Sequence, residues 1–177
     1  QLIDLFKLDR KKQLKKFSKG MKSAVNVIIG LASRSPITLL DEIYLGMDAH
    51  LREIFYKELL EEQARHPRMF ILSTHLVSEM DYLFDEIIII DQGEVLVQEP
   101  IDLFLEKGVT VTGDRETVEQ FVARKKQINC EQLGSTKAVM IYGELTNTEQ
   151  QEAIELGLDV TPASLHELFV HLTKEEN

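Results

Sequence analysis

Two short apolar segments, each followed directly by polar side chains, constrain the fold more than any other feature of the sequence. Residues 37–40 (Ile-Thr-Leu-Leu) precede the acidic pair 41–42, and residues 69–72 (Met-Phe-Ile-Leu) precede the Ser-Thr-His sequence 73–75. Apolar residues at helical spacing occupy the interval 51–60 between them. Short apolar strands that alternate with helices are typical of a parallel sheet with both faces covered. The sequence therefore predicts an α/β fold.

The predicted strand ends bring together side chains that could act on a phosphate ester. Open α/β sheets bind their ligands at the carboxyl ends of the strands, where Asp41, Glu42 and His75 would share one crevice. A carboxylate there can bind Mg²⁺, a second carboxylate can orient an attacking water, and an imidazole can contact a terminal phosphate. Taken singly, an acidic strand end or one loop histidine has an ordinary structural explanation. The combination favours a catalytic site.

Capping residues predict two helix starts. Ser18 precedes an apolar face at helical spacing, and Asp48 precedes the helical pattern of residues 51–60. A shorter helix is expected over 78–83, followed by two strands joined by a turn over 86–98.

The sequence changes character after residues 99–100, where shorter elements follow one another. Strand and helix patterns occur in the order β-α-β-β-α-β between 109 and 160, which is the order of a split βαβ, ferredoxin-like module. A closing helix begins with the capping box at 164–167. We therefore predict two domains: residues 1–99, and a small α+β accessory module over residues 100–177.

The ionisable residues are unevenly distributed. Residues 1–22 hold eight basic and two acidic side chains, a net charge of +6, whereas the remainder carries −16. Because a basic segment can bind phosphates, a nucleic-acid-associated ATPase or binding module is one alternative function. The acidic remainder would repel nucleic acid, so no nucleic acid partner is expected.

Composition excludes several classes of protein. A chain with 44% hydrophobic residues, nine glycines and four prolines is neither disordered nor collagen-like. The single Cys130 cannot form an internal disulfide, which favours a reducing, intracellular location. The longest aliphatic run, Ile87–Ile90, is far too short to span a bilayer.

Four segments in a fixed order resemble the motifs of one ATPase family. Residues 17–21 (Phe-Ser-Lys-Gly-Met) are similar to its signature motif, residues 37–41 to its Walker B strand, residues 46–48 to the end of its D-loop, and residues 73–75 to its switch histidine motif. The chain thus resembles the C-terminal part of the ATP-binding subunit of a bacterial ABC transporter. The resemblance covers residues 1–98 and implies part of a P-loop ATPase domain, with a helical subdomain end and a parallel-sheet core.

The resemblance implies a role for each motif residue. Asp41 would bind Mg²⁺ through water, Glu42 would polarise the attacking water, and His75 would contact the γ-phosphate of ATP. Asp48 would connect the two nucleotide sites of a dimer. The signature residues would bind the nucleotide of the opposite subunit: Ser18, Lys19, Gly20 and Met21.

The resemblance also implies partners and a location. ATP hydrolysis in a dimer with a second ATPase subunit would power transport, with export as the expected direction, through transmembrane permease subunits. The protein would be cytoplasmic and held at the inner face of the membrane by the permease. A non-catalytic partner subunit is a further alternative, against which the presence of both Glu42 and His75 argues.

The sequence departs from the family pattern in several places. Lys19 replaces a glycine and Met21 a glutamine of the common signature, a form that resembles exporters of the bacitracin and lantibiotic-resistance type. Residues 43–44 (Ile-Tyr) stand where Pro-Thr usually follows the catalytic glutamate. No segment fits the P-loop pattern G-x-x-x-x-G-K-S/T, because residues 108–113 have the glycine spacing but read as a strand followed by an acidic residue. We therefore expect a C-terminal fragment that lacks the Walker A region and is inactive alone.

Overall fold

The structure is a computed structural model that describes residues 2–173. The chain divides into two compact units, Gln1–Leu76 and Val77–Asn177. In the described part of the chain, no helix combines the length and the apolar character that a membrane span requires.

The first unit contains a two-stranded parallel sheet and the helices that precede and join its strands. Its elements are α1 (Leu2–Leu5), α2 (Lys19–Ser33), β1 (Ile37–Asp41), α3 (Ala49–Arg65) and β2 (Met69–Ser73), with a 3₁₀ turn at Leu14–Lys16. The strands pair in parallel from Ile37 opposite Met69 to Asp41 opposite Ser73. Both predicted strands, and the helix between them, are confirmed.

The side chains of β1 alternate between a buried and an exposed face, as the pleat of a strand requires. Thr38 and Leu40 are buried, and Gly30 of α2 lies against both of them. Ile37 and Leu39 point to the other face and are 57% and 71% exposed. The prediction that both faces would be covered is therefore not met within the described residues, where α2 packs on one face of β1.

The second unit contains an antiparallel hairpin followed by alternating strands and helices. Its elements are β3 (Glu86–Asp91), β4 (Glu94–Pro100), α4 (Ile101–Glu106), β5 (Gly108–Asp114), α5 (Arg115–Val122), β6 (Gln127–Leu133), β7 (Thr136–Tyr142), α6 (Asn147–Glu155), β8 (Asp159–Pro162) and α7 (Leu165–Leu172). The predicted helix over 78–83 is wrong: two 3₁₀ turns, Val77–Glu79 and Asp81–Leu83, flank Met80, whose φ of −133° lies outside the helical range.

The four strands β5–β8 form the predicted ferredoxin-like sheet. Their order is β6-β7-β5-β8, and every neighbouring pair is antiparallel. Strand β7 thus lies between the parallel pair β5 and β6, which is the defining feature of a split βαβ unit. The glycine-spaced segment 108–113 belongs to β5, so it does not form a phosphate-binding loop.

Alternate residues of β7 contribute to two different cores. Val139 and Ile141 join a cluster with residues of α5 and α6, whereas Met140 joins a cluster with residues of α4, α7 and the β3–β4 hairpin. Because the hairpin packs in that second cluster, the compact units divide after residue 76, whereas the sequence predicts a division after residue 99.

Candidate functional site

The candidate site begins where the two parallel strands of the first unit end. Asp41 and Ser73 are register partners, and the Ser73 hydroxyl donates a hydrogen bond to the Asp41 carboxylate. The backbone N–H of Glu42 donates to the carbonyl and the side-chain oxygen of Ser73, each at 3.2 Å. The strand pairing therefore holds the acidic pair beside the Ser-Thr-His segment.

Glu42 and His75 form a hydrogen-bonded pair at this end of the sheet. The distance from Glu42 Oε1 to His75 Nδ1 is 2.9 Å. The two side chains are 31% and 61% exposed, so both are accessible to a ligand. The structure thus brings together the three residues that the sequence predicts in one crevice: Asp41, Glu42 and His75.

Tyr44 completes this group, although in the sequence it stands out only as a departure from a family pattern. Its side chain is 2% exposed, and its hydroxyl donates to Glu42 Oε2. The same hydroxyl accepts from Thr74 Oγ1 at 2.9 Å and from the backbone N–H of His75 at 3.2 Å. A turn closed by the Leu45 N–H and the Glu42 carbonyl, at 3.0 Å, folds Tyr44 back toward the strand ends.

The backbone of Glu42 is held in the left-handed region, with φ of +44°. A residue with a β-carbon reaches that region at a cost of about 1–2 kcal/mol, so the surroundings must hold it there. The two hydrogen bonds from its N–H to Ser73 do so. Strained residues of this kind concentrate at functional sites.

The hydrogen bonds of this group alter its acid–base properties. Although burial acts in the opposite direction, hydrogen bonds from Tyr44 and His75 lower the pKa of Glu42 below its ordinary value. Burial and the hydrogen bond to Glu42 raise the pKa of the Tyr44 hydroxyl. Glu42 is therefore an ionised carboxylate at neutral pH, as a residue that attracts a proton of water must be.

A second group forms around the start of α2. Ser18 caps this helix by accepting a hydrogen bond from the Met21 N–H at 3.2 Å, as predicted. Gly20 packs so tightly on Gly46 that a β-carbon at residue 20 would come within 2.1 Å of the Gly46 carbonyl oxygen. The Ser23 hydroxyl donates to the Leu45 carbonyl at 2.9 Å. The signature-like segment is thus joined to the loop that follows Glu42.

Lys19 and Asp48 lie on the two segments that meet at this point. The Lys19 stem lies against Gly46, where a β-carbon would come within 3.0 Å of two Lys19 side-chain carbons. Asp48 caps α3 by accepting from the Leu51 N–H at 2.9 Å, which confirms its predicted capping role. The loop 42–48 therefore connects two groups of candidate residues, one at the strand ends and one at the start of α2.

The strand-end group offers a partial set of ligands for a hard cation. Among the residues that the structure describes, no three His, Cys, Asp or Glu side chains converge as a metal site. Mg²⁺ is bound in many phosphate-handling sites by one or two carboxylates, with phosphates and water completing its shell. The Asp41 carboxylate and the Ser73 hydroxyl fit that mode because both present oxygens at the strand ends.

Comparison with known proteins gives one family-model match and several relatives named as ATP-binding proteins of transporters. Residues 6–81 match a family model described as "AAA domain, putative AbiEii toxin, Type IV TA system". The chain is 30% identical over 112 residues to an uncharacterized ABC transporter ATP-binding protein of Methanocaldococcus jannaschii, covering 63% of this chain and 40% of the relative. It is 29% identical over 158 residues to an osmoprotectant import ATP-binding protein of Salmonella typhimurium, covering 87% of this chain and 38% of the relative.

A solved structure agrees with these relatives. The ATP-binding subunit of an ABC transporter superposes with a TM-score of 0.53 at 27% identity, over 58% of this chain and 43% of that one. The chain thus spans less than half the length of each of these three proteins.

Proposed function

This chain is a homologue of the ATP-binding proteins of ABC transporters, and from that premise we propose that it supplies one half of the hydrolytic machinery of an ATPase that drives transport. The observation that carries the proposal is the Glu42–His75 hydrogen bond of 2.9 Å beside Asp41, at the carboxyl ends of β1 and β2. Relatives named as ATP-binding proteins support ATP as the nucleotide.

The strand-end group can perform the hydrolytic step of this proposal. Glu42 is an ionised acceptor that can orient a water molecule and take its proton as the water attacks the γ-phosphorus, while the bond from that phosphorus to the bridging oxygen breaks and ADP leaves. His75 presents its second ring nitrogen, Nε2, to the transferred phosphoryl group. Asp41, with Ser73, would hold Mg²⁺, which when bound neutralises charge on the phosphate oxygens.

The group at the start of α2 is proposed to bind the nucleotide of a second ATPase subunit. The first-turn N–H groups of α2 have no partners within the helix, and a helix of 15 residues places the positive end of its dipole at the same end, which favours an anion there. Lys19 adds a positive charge at the same place. We propose that Ser18, Lys19, Gly20 and Met21 contact the partner's phosphates and that Asp48 lies between the two sites.

The resemblance to this family also supports a proposal about the partners and the direction of transport. We propose that transmembrane permease subunits hold the protein at the cytoplasmic face of the membrane. Export is favoured by the signature form of residues 17–21, which resembles bacitracin and lantibiotic-resistance exporters. A polypeptide restricted to these 177 residues has no P-loop pattern, and we propose that it binds ATP poorly by itself.

The decisive experiment removes the charge of Glu42 and leaves its size unchanged. In the intact protein, Glu42→Gln should retain ATP binding and lower ATP turnover by at least about a hundredfold, since the amide cannot take a proton from water. The exposed Glu94→Gln is the matched control and should turn over ATP at the normal rate. Normal turnover by Glu42→Gln would refute the role of Glu42.

A further inference from the structure

The hydrogen-bonding capacity of the Tyr44 hydroxyl is completely used by the strand-end group. A phenol has one donor hydrogen and two acceptor lone pairs. The donor goes to Glu42 Oε2, and the lone pairs accept from Thr74 Oγ1 at 2.9 Å and from the His75 N–H at 3.2 Å. The three partners are Glu42, Thr74 and His75, which lie at the proposed reaction centre. The hydroxyl thus links the end of β1 to the segment that follows β2.

This saturation indicates that the Nδ1 atom of His75 carries a hydrogen. His75 Nδ1 lies 3.3 Å from the Tyr44 oxygen, but that hydroxyl has no hydrogen or lone pair left for it. The remaining partner of Nδ1 is Glu42 Oε1 at 2.9 Å. An ionised carboxylate only accepts hydrogen bonds, so Nδ1 must carry hydrogen. Nε2 is then the ring atom left to meet a ligand.

The Glu42 carboxylate can still accept hydrogen bonds from water, although Tyr44 and His75 already donate to it. Each carboxylate oxygen offers about two lone-pair directions, and Tyr44 and His75 occupy one on each oxygen. The two partners therefore fix the carboxylate plane and leave directions for an incoming water. The aromatic ring without its hydroxyl could not fix the carboxylate plane, because the hydroxyl makes the hydrogen bond to Glu42.

From this geometry we propose that Tyr44 is a positioning residue for the reaction, whose hydroxyl fixes the Glu42 carboxylate and the His75 segment in one arrangement. The inference rests on the proposed roles of Glu42 and His75. Burial supports it independently, since a tyrosine hydroxyl buried at 2% exposure is costly unless it is hydrogen-bonded, whereas phenylalanine would fill the same space without that requirement.

The test removes the hydroxyl and retains the ring. In the intact protein, Tyr44→Phe should lower kcat for ATP hydrolysis by about ten- to a hundredfold, as the loss of an outer-shell partner commonly does, with little change in KM. Tyr142→Phe, in the other compact unit, is the control and should change neither quantity.

A second measurement does not depend on activity. The side-chain carboxyl carbon signal of Glu42, assigned by its loss in Glu42→Gln, should move at neutral pH in Tyr44→Phe, as followed by carbon NMR, because the carboxylate loses one of its two protein hydrogen bonds. An unmoved carboxyl signal would overturn the positioning role.

The two proposals can fail separately. If Glu42→Gln abolishes turnover while Tyr44→Phe leaves kcat unchanged, the proposed function stands and the positioning role of Tyr44 is refuted. If Glu42→Gln turns over ATP normally, the proposed function fails, and the positioning role in hydrolysis fails with it, whatever the carbon NMR signal shows about the hydrogen bond.

Discussion

Gly20 lies so close to the Gly46 carbonyl that a β-carbon at residue 20 would sit 2.1 Å from the oxygen. This contact joins the start of α2 to the loop that carries Glu42 and Asp48. Two segments that are distant in the sequence are therefore in direct backbone contact within one chain. If the start of α2 binds the partner's nucleotide, its occupancy can be transmitted to the loop through this contact.

Gly20→Ala should destabilise the protein because backbone atoms, which cannot rotate away, oppose the new methyl group. We expect a loss of about 1–3 kcal/mol in the free energy of unfolding, measured by urea denaturation. Gly30→Ala on the same helix is the matched control. There the methyl group would meet a Leu40 side-chain carbon at 3.2 Å, and alanine also improves helix propensity. Equal stability of the two variants would contradict the tight contact.

Ser18 combines a structural role with a proposed binding role, and two substitutions separate them. Ser18→Ala removes the helix cap and should cost about 1 kcal/mol in stability. Ser18→Asp retains a capping oxygen, so its stability should match that of the unmodified protein. The aspartate would nonetheless place a negative charge where the partner's phosphate is proposed to bind, and ATP turnover should fall. A fully active Ser18→Asp protein would argue against phosphate binding by this segment.

The second unit should lose stability in acid through Glu149. Hydrogen bonds from Lys125 and from the backbone and side chain of Thr146 lower the pKa of Glu149 to about 2. Because the folded-state pKa lies below the ordinary value of 4.5, this contribution is present above about pH 4.5 and disappears as the pH falls toward 2. Urea denaturation at successive pH values should therefore show a smaller acid-dependent loss in Glu149→Gln than in the unmodified protein.

The exposed Glu152→Gln on the same helix is the control for this measurement. It should retain the full acid-dependent loss of the unmodified protein. A pH dependence of Glu149→Gln indistinguishable from that control would show that Glu149 does not stabilise the folded state.

Sequence patterns predicted the features that depend on local chemistry. The strands β1 and β2, the caps Ser18 and Asp48, and the ferredoxin-like order of β5–β8 all follow from short-range periodicity and capping preferences. The predicted proximity of Glu42 and His75 followed from one topological rule, that parallel strands end at the same edge of a sheet.

The features that the sequence did not reveal depend on contacts between distant segments. Tyr44 reaches residues that lie 30 and 31 positions away, and no periodicity marks such a contact. The hairpin β3–β4 packs with α7, which sets the unit boundary after residue 76 rather than after residue 99. The approach of Gly20 to Gly46 has no sequence signal beyond the presence of two glycines.

The apolar character of both faces of β1 has a consequence for how the two parallel strands align. Hydrophobic alternation normally selects a strand register, because a slip by one residue turns every apolar side chain toward water. In β1, Ile37 and Leu39 on one face are as apolar as Leu40 on the other, so burial alone discriminates weakly between alignments. The hydrogen bonds that Ser73 makes with Asp41 and with the Glu42 N–H supply the missing discrimination. The polar residues proposed to act on ATP therefore also specify how the sheet is assembled.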